Sequence, residues 1–147
     1  MQLMHLFDHV TKLYRPYVKL IQPLLDAYQL HPAQWLILKD IHQHPETTLV
    51  QVSKRRSIEK PTARKILKVL DERGLLSIQP GQDKREKLLT LSIEGEAVYH
   101  ELITDIQNKQ IEIAATLPMT SAEVEQTMHL LDQLYRRMIA QVQQLES

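Results

Sequence analysis

A mainly α-helical fold with one small β-hairpin is predicted, on three observations. The 147 residues include only three glycines and one phenylalanine, while Leu, Ile, Gln and Lys are abundant, which suits helices and not an all-β fold. Apolar residues recur at helical spacing over most of the chain. The stretch from Thr48 to Leu91 runs helix, tight turn, helix, hairpin, the order of a winged helix-turn-helix. The expected architecture is therefore a winged helix-turn-helix flanked by N- and C-terminal dimerisation helices, with the lobe at 31–92 and the flanking helices at 1–30 and 93–147.

Residues 3–28 repeat Leu3, Phe7, Val10, Tyr14, Tyr17, Ile21, Leu24 and Tyr28 at helical spacing. Pro16 and Pro23 each remove an amide donor and should kink or divide this helix. Its apolar side is too extensive for a free arm, so packing on a partner is expected. His31-Pro32 opens the next helix, where a proline in the first turn loses little. Trp35, Leu36, Leu38 and Ile41 form its apolar side, and Pro45 should stop it shortly after His44. Thr47 or Thr48 can cap the helix that follows.

That helix is expected over Leu49 to Arg56, with Ser57-Ile58 as the turn and Lys60 to Arg73 as the second helix. Ala63, Ile66, Leu67 and Leu70 fall at i, i+3, i+4 and i+7 and make one apolar stripe. Lys60, Arg64, Lys65 and Lys68 lie opposite. Gly74 stands where a left-handed residue would end the helix. Leu75, Leu76 and Ile78 read as a strand, Leu88 to Leu91 as its return, and Gln79 to Lys87 as a charged, turn-rich tip. Ser92 can cap a long helix reaching about Thr116, with Val98, Leu102, Ile106 and Ile113 along one side. Pro118 breaks it, and Thr120 and Glu123 form a capping box for the last helix. There Val124, Leu131, Met138 and Leu145 are spaced by seven, as are Met128, Tyr135 and Val142. Such an a/d seam is most simply buried between two subunits. The expected dimer contacts are Leu3, Phe7, Val124, Met128, Leu131, Tyr135, Met138 and Val142.

Charge is distributed unevenly. The chain is neutral overall, with 18 basic and 18 acidic residues, yet Thr48 to Thr90 holds 11 Lys/Arg against 5 Asp/Glu. A basic module in acidic surroundings is expected when one face meets phosphates. Double-stranded DNA is thus the expected partner. The second helix would enter the major groove through Lys60, Pro61, Thr62, Arg64, Lys65 and Lys68. Arg64 would reach base edges, Pro61 a thymine methyl, and the lysines phosphates. The wing would contribute Asp83, Lys84, Arg85 and Lys87, with Arg85 in a narrow minor groove and Asp83 holding its guanidinium. Lys54, Arg55 and Arg56 would grip the backbone. The bland reading of all these residues is a solvated charged surface. A winged-helix module binding an acidic protein partner is the alternative function.

Other classes are bounded more tightly. Without cysteine there are no disulfides, thiolate metal sites or cysteine-based redox sensors. No apolar run approaches the length of a membrane span, and the N-terminus lacks the pattern of a secretory signal, so a cytoplasmic protein is expected. No nucleophile–base–orienter motif, phosphate loop or dinucleotide fingerprint appears, so no enzyme and no cofactor are expected. Seven histidines are scattered along the chain. His5 and His9, at i, i+4, could share a metal in a metal-responsive regulator, but no third ligand follows in sequence, and surface histidines are the simpler reading. His9, Tyr14, Tyr17, His31 and Trp35 either line a small-molecule pocket or belong to the core.

Taken together, these motifs resemble the MarR family of bacterial transcription regulators over nearly the whole chain. Leu70-Asp71-Glu72-Arg73-Gly74-Leu75-Leu76 is similar to the family's Leu-Glu-x-x-Gly-Leu. Asp83-Lys84-Arg85 resembles its Asp-x-Arg wing, and Leu89-Thr90-Leu91-Ser92-Ile93-Glu94-Gly95 its Leu-Thr-x-x-Gly entry to the fifth helix. Leu30-His31-Pro32-Ala33-Gln34-Trp35 is similar to its Leu-Thr-x-x-Gln helix start. The resemblance implies one MarR-like domain over 1–147, a homodimer built from the first and last helices, and repression at a palindromic operator. It also implies release by a small aromatic or phenolic ligand. The chain departs from the pattern with His31 at the helix cap, Ser57 in place of Gly, Pro61 in the recognition helix, and Arg56 in place of a buried Leu. An arginine there either folds outward toward phosphate or loosens the turn.

Overall fold

The computed structural model describes residues 2–147. Among them run six helices and one antiparallel strand pair: α1 (Leu3–Asp26), α2 (Pro32–Gln43), α3 (Leu49–Arg56), α4 (Lys60–Glu72), β1 (Leu76–Pro80), β2 (Lys87–Leu91), α5 (Ile93–Ala114) and α6 (Ser121–Glu146). They fall into two compact units, one ending at Glu112 and the other Ile113–Ser147.

Local chemistry sets most boundaries. The Thr48 hydroxyl accepts the Gln51 amide proton while the Gln51 side chain accepts that of Thr48, so α3 starts where a capping box forms. Thr120 and Glu123 repeat the device at α6. At α2 the Gln34 side chain accepts the His31 amide. Gly74 takes φ +73° and ends α4, whose last helical residue is Glu72, with Arg73 as its cap. The Ser92 hydroxyl receives the Gly95 amide and opens α5.

Two expectations need correction. Of the two effects expected of Pro16 and Pro23, division does not occur: α1 continues through both. Each proline loses one amide donor, but Ile21 and Leu25 on the same helix are buried in the core and hold the segment in register. The hairpin is longer than expected: Gln79 and Pro80 pair with Leu88 and Lys87, which leaves a tip of only 81–86. Pro80 is tolerated at the end of an edge strand, where no ladder donor is needed. As expected, α5 ends close to Thr116, at Ala114; along its apolar side Leu102 and Ile106 are buried and Ile113 is exposed.

The core of the first unit gathers Leu25, Leu30, Trp35, Ile37, Leu38 and Ile41 with Val52, Leu67 and Leu70, and closes against Leu89, Leu91, Leu102 and Ile106. The Trp35 ring stacks on that of Tyr99, centroids 5.7 Å apart. Thr47 adds a bridge to Leu89, with N–H···O distances of 2.7 and 3.2 Å, so the loop before α3 is tied to the hairpin. Arg73 donates to the carbonyls of Tyr28 and Gln29 at 2.6 and 2.8 Å, fastening the end of α4 to the end of α1. Tyr28 Oη donates to Glu101 Oε2 at 3.0 Å. That hydrogen bond, then desolvation, then the Glu101 and Asp105 charges raise the Tyr28 pKa. A raised phenol pKa means its share of stability is complete below the unfolded value and is lost only as pH climbs through the folded one, well above neutrality.

Candidate nucleic-acid interface

In α4 the apolar stripe settles which side faces out. Ala63, Leu67 and Leu70 are buried, so Lys60, Pro61, Thr62, Arg64, Lys65 and Lys68, on the other arc of the helix, are all exposed. The tilt of α4 against α3 is set by the turn between them. Ser57 adopts a left-handed conformation at φ 53°, and the Ser53 hydroxyl donates to the Ile58 carbonyl. Arg56 is exposed, and the Ser57 and Ile58 amides donate to the Lys54 and Ser53 carbonyls at 3.3 and 3.1 Å, so the turn closes with the arginine outside the core.

The hairpin brings its cations to the same side. Arg64 and Lys68 of α4, Arg85 and Lys87 of the wing, and Thr48 and Gln51 at the start of α3 line one open cleft of about 860 Å³, which they share with the carboxylates of Asp71, Asp83 and Glu86. Residues from two ends of the lobe thus face a common concave surface, which sequence spacing alone could not establish. Lys68 also lies 3.9 Å from Glu72, but both side chains are largely exposed and the pair is worth little. Lys84 is exposed at the tip.

Asp83 does something other than expected. Its Oδ1 accepts the backbone N–H of Arg85 at 3.0 Å, and the carbonyl of Asp83 accepts the amide of Glu86. The carboxylate shapes the turn; it is not seen holding the guanidinium. This is the local side chain-to-backbone bond that favours Asp in turns.

Arg55 also departs from expectation. Its neighbours Lys54 and Arg56 are exposed, but the Arg55 guanidinium turns inward. Nε donates to Asp40 Oδ1 at 3.0 Å, and Nη2 to Asp40 Oδ2 at 2.8 Å and Thr47 Oγ1 at 2.6 Å. Asp40 is buried, so a cation must accompany it. Arg55 meets that need and links α2, α3 and, through Thr47, the hairpin. The overlooked signal was Asp40 itself, an acid between Ile37 and Ile41 on the apolar side of α2.

The residues considered for a small-molecule pocket are dispersed in character. Trp35 is core. Tyr17 Oη accepts from Gln110 Nε2 at 2.9 Å, His9 and Tyr14 are exposed on α1, and His31 is exposed at the α2 cap. The residues expected at a dimer contact are apolar and largely open. Leu3 and Phe7 are exposed in the first unit. In the second, α6 buries none of its residues: Val124, Met128, Leu131, Tyr135 and Met138 are exposed and Val142 is half-buried. No helix among the described residues is long and apolar enough to cross a membrane.

A model described as the MarR family matches residues 28–86. An uncharacterised HTH-type transcriptional regulator of Staphylococcus aureus (strain MSSA476) is 39% identical over 131 residues, 88% of this chain and 90% of that protein. A native MarR of Staphylococcus aureus is 37% identical, with a TM-score of 0.88 over 95% of this chain and 99% of that one. A Staphylococcus aureus MarR in complex with salicylate and kanamycin is likewise 37% identical, with a TM-score of 0.84 over 93% of this chain and 92% of the other.

Proposed function

The chain belongs to the MarR family of transcription regulators, a family of DNA-binding proteins and not of enzymes, and from that premise we propose that it acts as a homodimeric repressor of a palindromic operator. The carrying observation is that Arg64 and Lys68 of α4 and Arg85 and Lys87 of the wing share one cleft, although Asp71, Asp83 and Glu86 line it too. A helix face that reads bases and a wing tip that follows the backbone would use such a surface together. Lys54, Arg56, Lys60, Lys65 and Lys84, all exposed, would add phosphate contacts around it.

The dimer follows from the hydrophobic effect. The seam on α6 and the first turns of α1 would leave an unusual length of apolar surface in water, and a second copy would cover both. Release of DNA would come from a small aromatic or phenolic acid that favours a dimer with a different separation of the two recognition helices. The salicylate bound to the Staphylococcus aureus relative supports that ligand class. His9, Tyr14, Tyr17 and His31 are the residues we place nearest to it.

The test is retention of the full chain on a duplex-DNA column. With six or more phosphate contacts, raising salt from about 50 to about 200 mM should weaken binding by roughly a thousandfold. Salicylate at constant low salt should also elute the protein. Elution independent of salt would favour the protein-binding alternative, and indifference to salicylate and related acids would remove the effector. For the wing, Arg85→Ala should weaken DNA binding on the order of tenfold or more. Its thermal unfolding should not change, because the side chain is exposed. Unaltered affinity in a mobility-shift titration would take the wing out of recognition.

A further inference from the structure

We propose that His42, Glu96 and His100 form a binding site for one divalent transition-metal ion of the zinc class. Among the described residues, these three side chains each offer a ligand atom, all within 4.8 Å of one another. Two come from α5 at i, i+4, on one face of the helix, and the third from the last turn of α2, 54 residues earlier. His42 Nδ1 lies 3.0 Å and His100 Nε2 3.2 Å from the same oxygen, Glu96 Oε2. Ligands about 2.0–2.2 Å from a tetrahedral ion stand about 3.3–3.6 Å apart, so a small lengthening of the two contacts to Glu96 would admit the metal.

The rings are already aimed. His42 stacks on Tyr99 with centroids 3.8 Å apart and meets His100 edge-on at 5.4 Å, which limits how its Nδ1 can turn. Two imidazoles and one carboxylate suit Zn²⁺, Ni²⁺, Co²⁺ or Cu²⁺ and not Ca²⁺ or Mg²⁺, which demand oxygen ligands. Glu96 and His100 are partly open to solvent, so water can complete the coordination shell. The site lies where regulation would be felt. Thr47, a few residues after His42, is bonded to Leu89 of β2, and α5 starts directly after β2. A bound ion would staple α2 to α5 at the base of the wing. His5 and His9, the pair the sequence suggested, do not join this group.

The experiment titrates Zn²⁺ into the untagged full chain after chelator stripping, followed by calorimetry and by competition with a chelating dye. One ion per chain is expected. The unfolding temperature should rise by about 5 °C at zinc a hundredfold above its Kd. His100→Ala and Glu96→Gln should each weaken binding at least about tenfold. Both positions are partly exposed, so the variants should fold, which circular dichroism would verify. The double variant His5→Ala, His9→Ala should bind as the parent does. The proposal is overturned if the parent takes up no Zn²⁺ below about 100 μM (an affinity near 5.5 kcal/mol). Undiminished binding in His100→Ala and Glu96→Gln, or binding lost only in the His5/His9 variant, overturns it equally.

Discussion

Arg55→Ala should lower the stability of the folded chain by about 3 kcal/mol, although its neighbours Lys54 and Arg56 can be truncated with little effect. The reason lies in Asp40. Its side chain is 7% exposed, and Arg55 is the cation that compensates it, through a bidentate contact at 2.8 to 3.2 Å. Removing one partner of a buried pair leaves the other charged group desolvated, which typically costs 3–5 kcal/mol. Arg55 is 28% exposed, so water can enter and the lower end applies. The loss extends further, because Thr47 Oγ1 also loses its donor and Thr47 anchors the loop before α3 to Leu89. Replacing both residues, as in Asp40→Leu with Arg55→Met, should recover most of the loss, since a well-packed apolar pair removes the desolvated charge altogether. Urea denaturation of the parent, both single variants and the double variant measures this. A drop below 1 kcal/mol for Arg55→Ala would mean that the guanidinium contributes through solvent and not through Asp40.

Gly95→Ala should also destabilise by about 2 to 3 kcal/mol, opposite in sign to what a helix position ordinarily gives. In a free helix, alanine is better than glycine by about 1 kcal/mol. At Gly95, however, an added Cβ would stand 2.1 Å from the Leu75 carbonyl oxygen and 3.3 Å from Leu91 Cβ. The obstruction is backbone and cannot swing aside. That same carbonyl accepts the Ser92 amide at 3.0 Å, while the Ser92 hydroxyl donates to the Gly74 carbonyl at 2.6 Å. The start of α5 is thus fastened to the chain between α4 and β1, and a methyl group would push the two apart. Because α5 follows the wing directly, DNA affinity should fall along with the unfolding temperature. An unfolding temperature equal to the parent's or higher would show that α5 does not approach Leu75 this closely.

These two sites mark where sequence reading succeeds and where it stops. Gly95 is visible as part of a motif, but its reason, the close approach of the Leu75 carbonyl from the chain before β1, is not. The bounds of α3, the glycine end of α4, the Ser92 cap and the Thr120–Glu123 box were legible because each depends on residues within four positions of one another. The pairing of Asp40 with Arg55, fifteen residues apart, leaves no periodic trace, and neither does that of His42 with Glu96. Asp83 was located correctly in the wing but assigned the wrong atom of Arg85, since a carboxylate two residues upstream can reach either the amide or the guanidinium. Pro16 and Pro23 do not divide α1 because Ile21 and Leu25 pack in the core, which the rule for helix interiors does not weigh. The heptads of α6 were plain in the sequence, and in the single chain α6 buries none of its residues.

The claim that two copies present paired recognition helices to one duplex is tested most directly by selecting bound duplexes from a random DNA pool with the full chain. Enrichment of a palindrome, with half-sites centred about one helical turn or ~10 bp apart, is the expected result. Recovery of a single asymmetric half-site, or of no enriched sequence at low ionic strength, would contradict it.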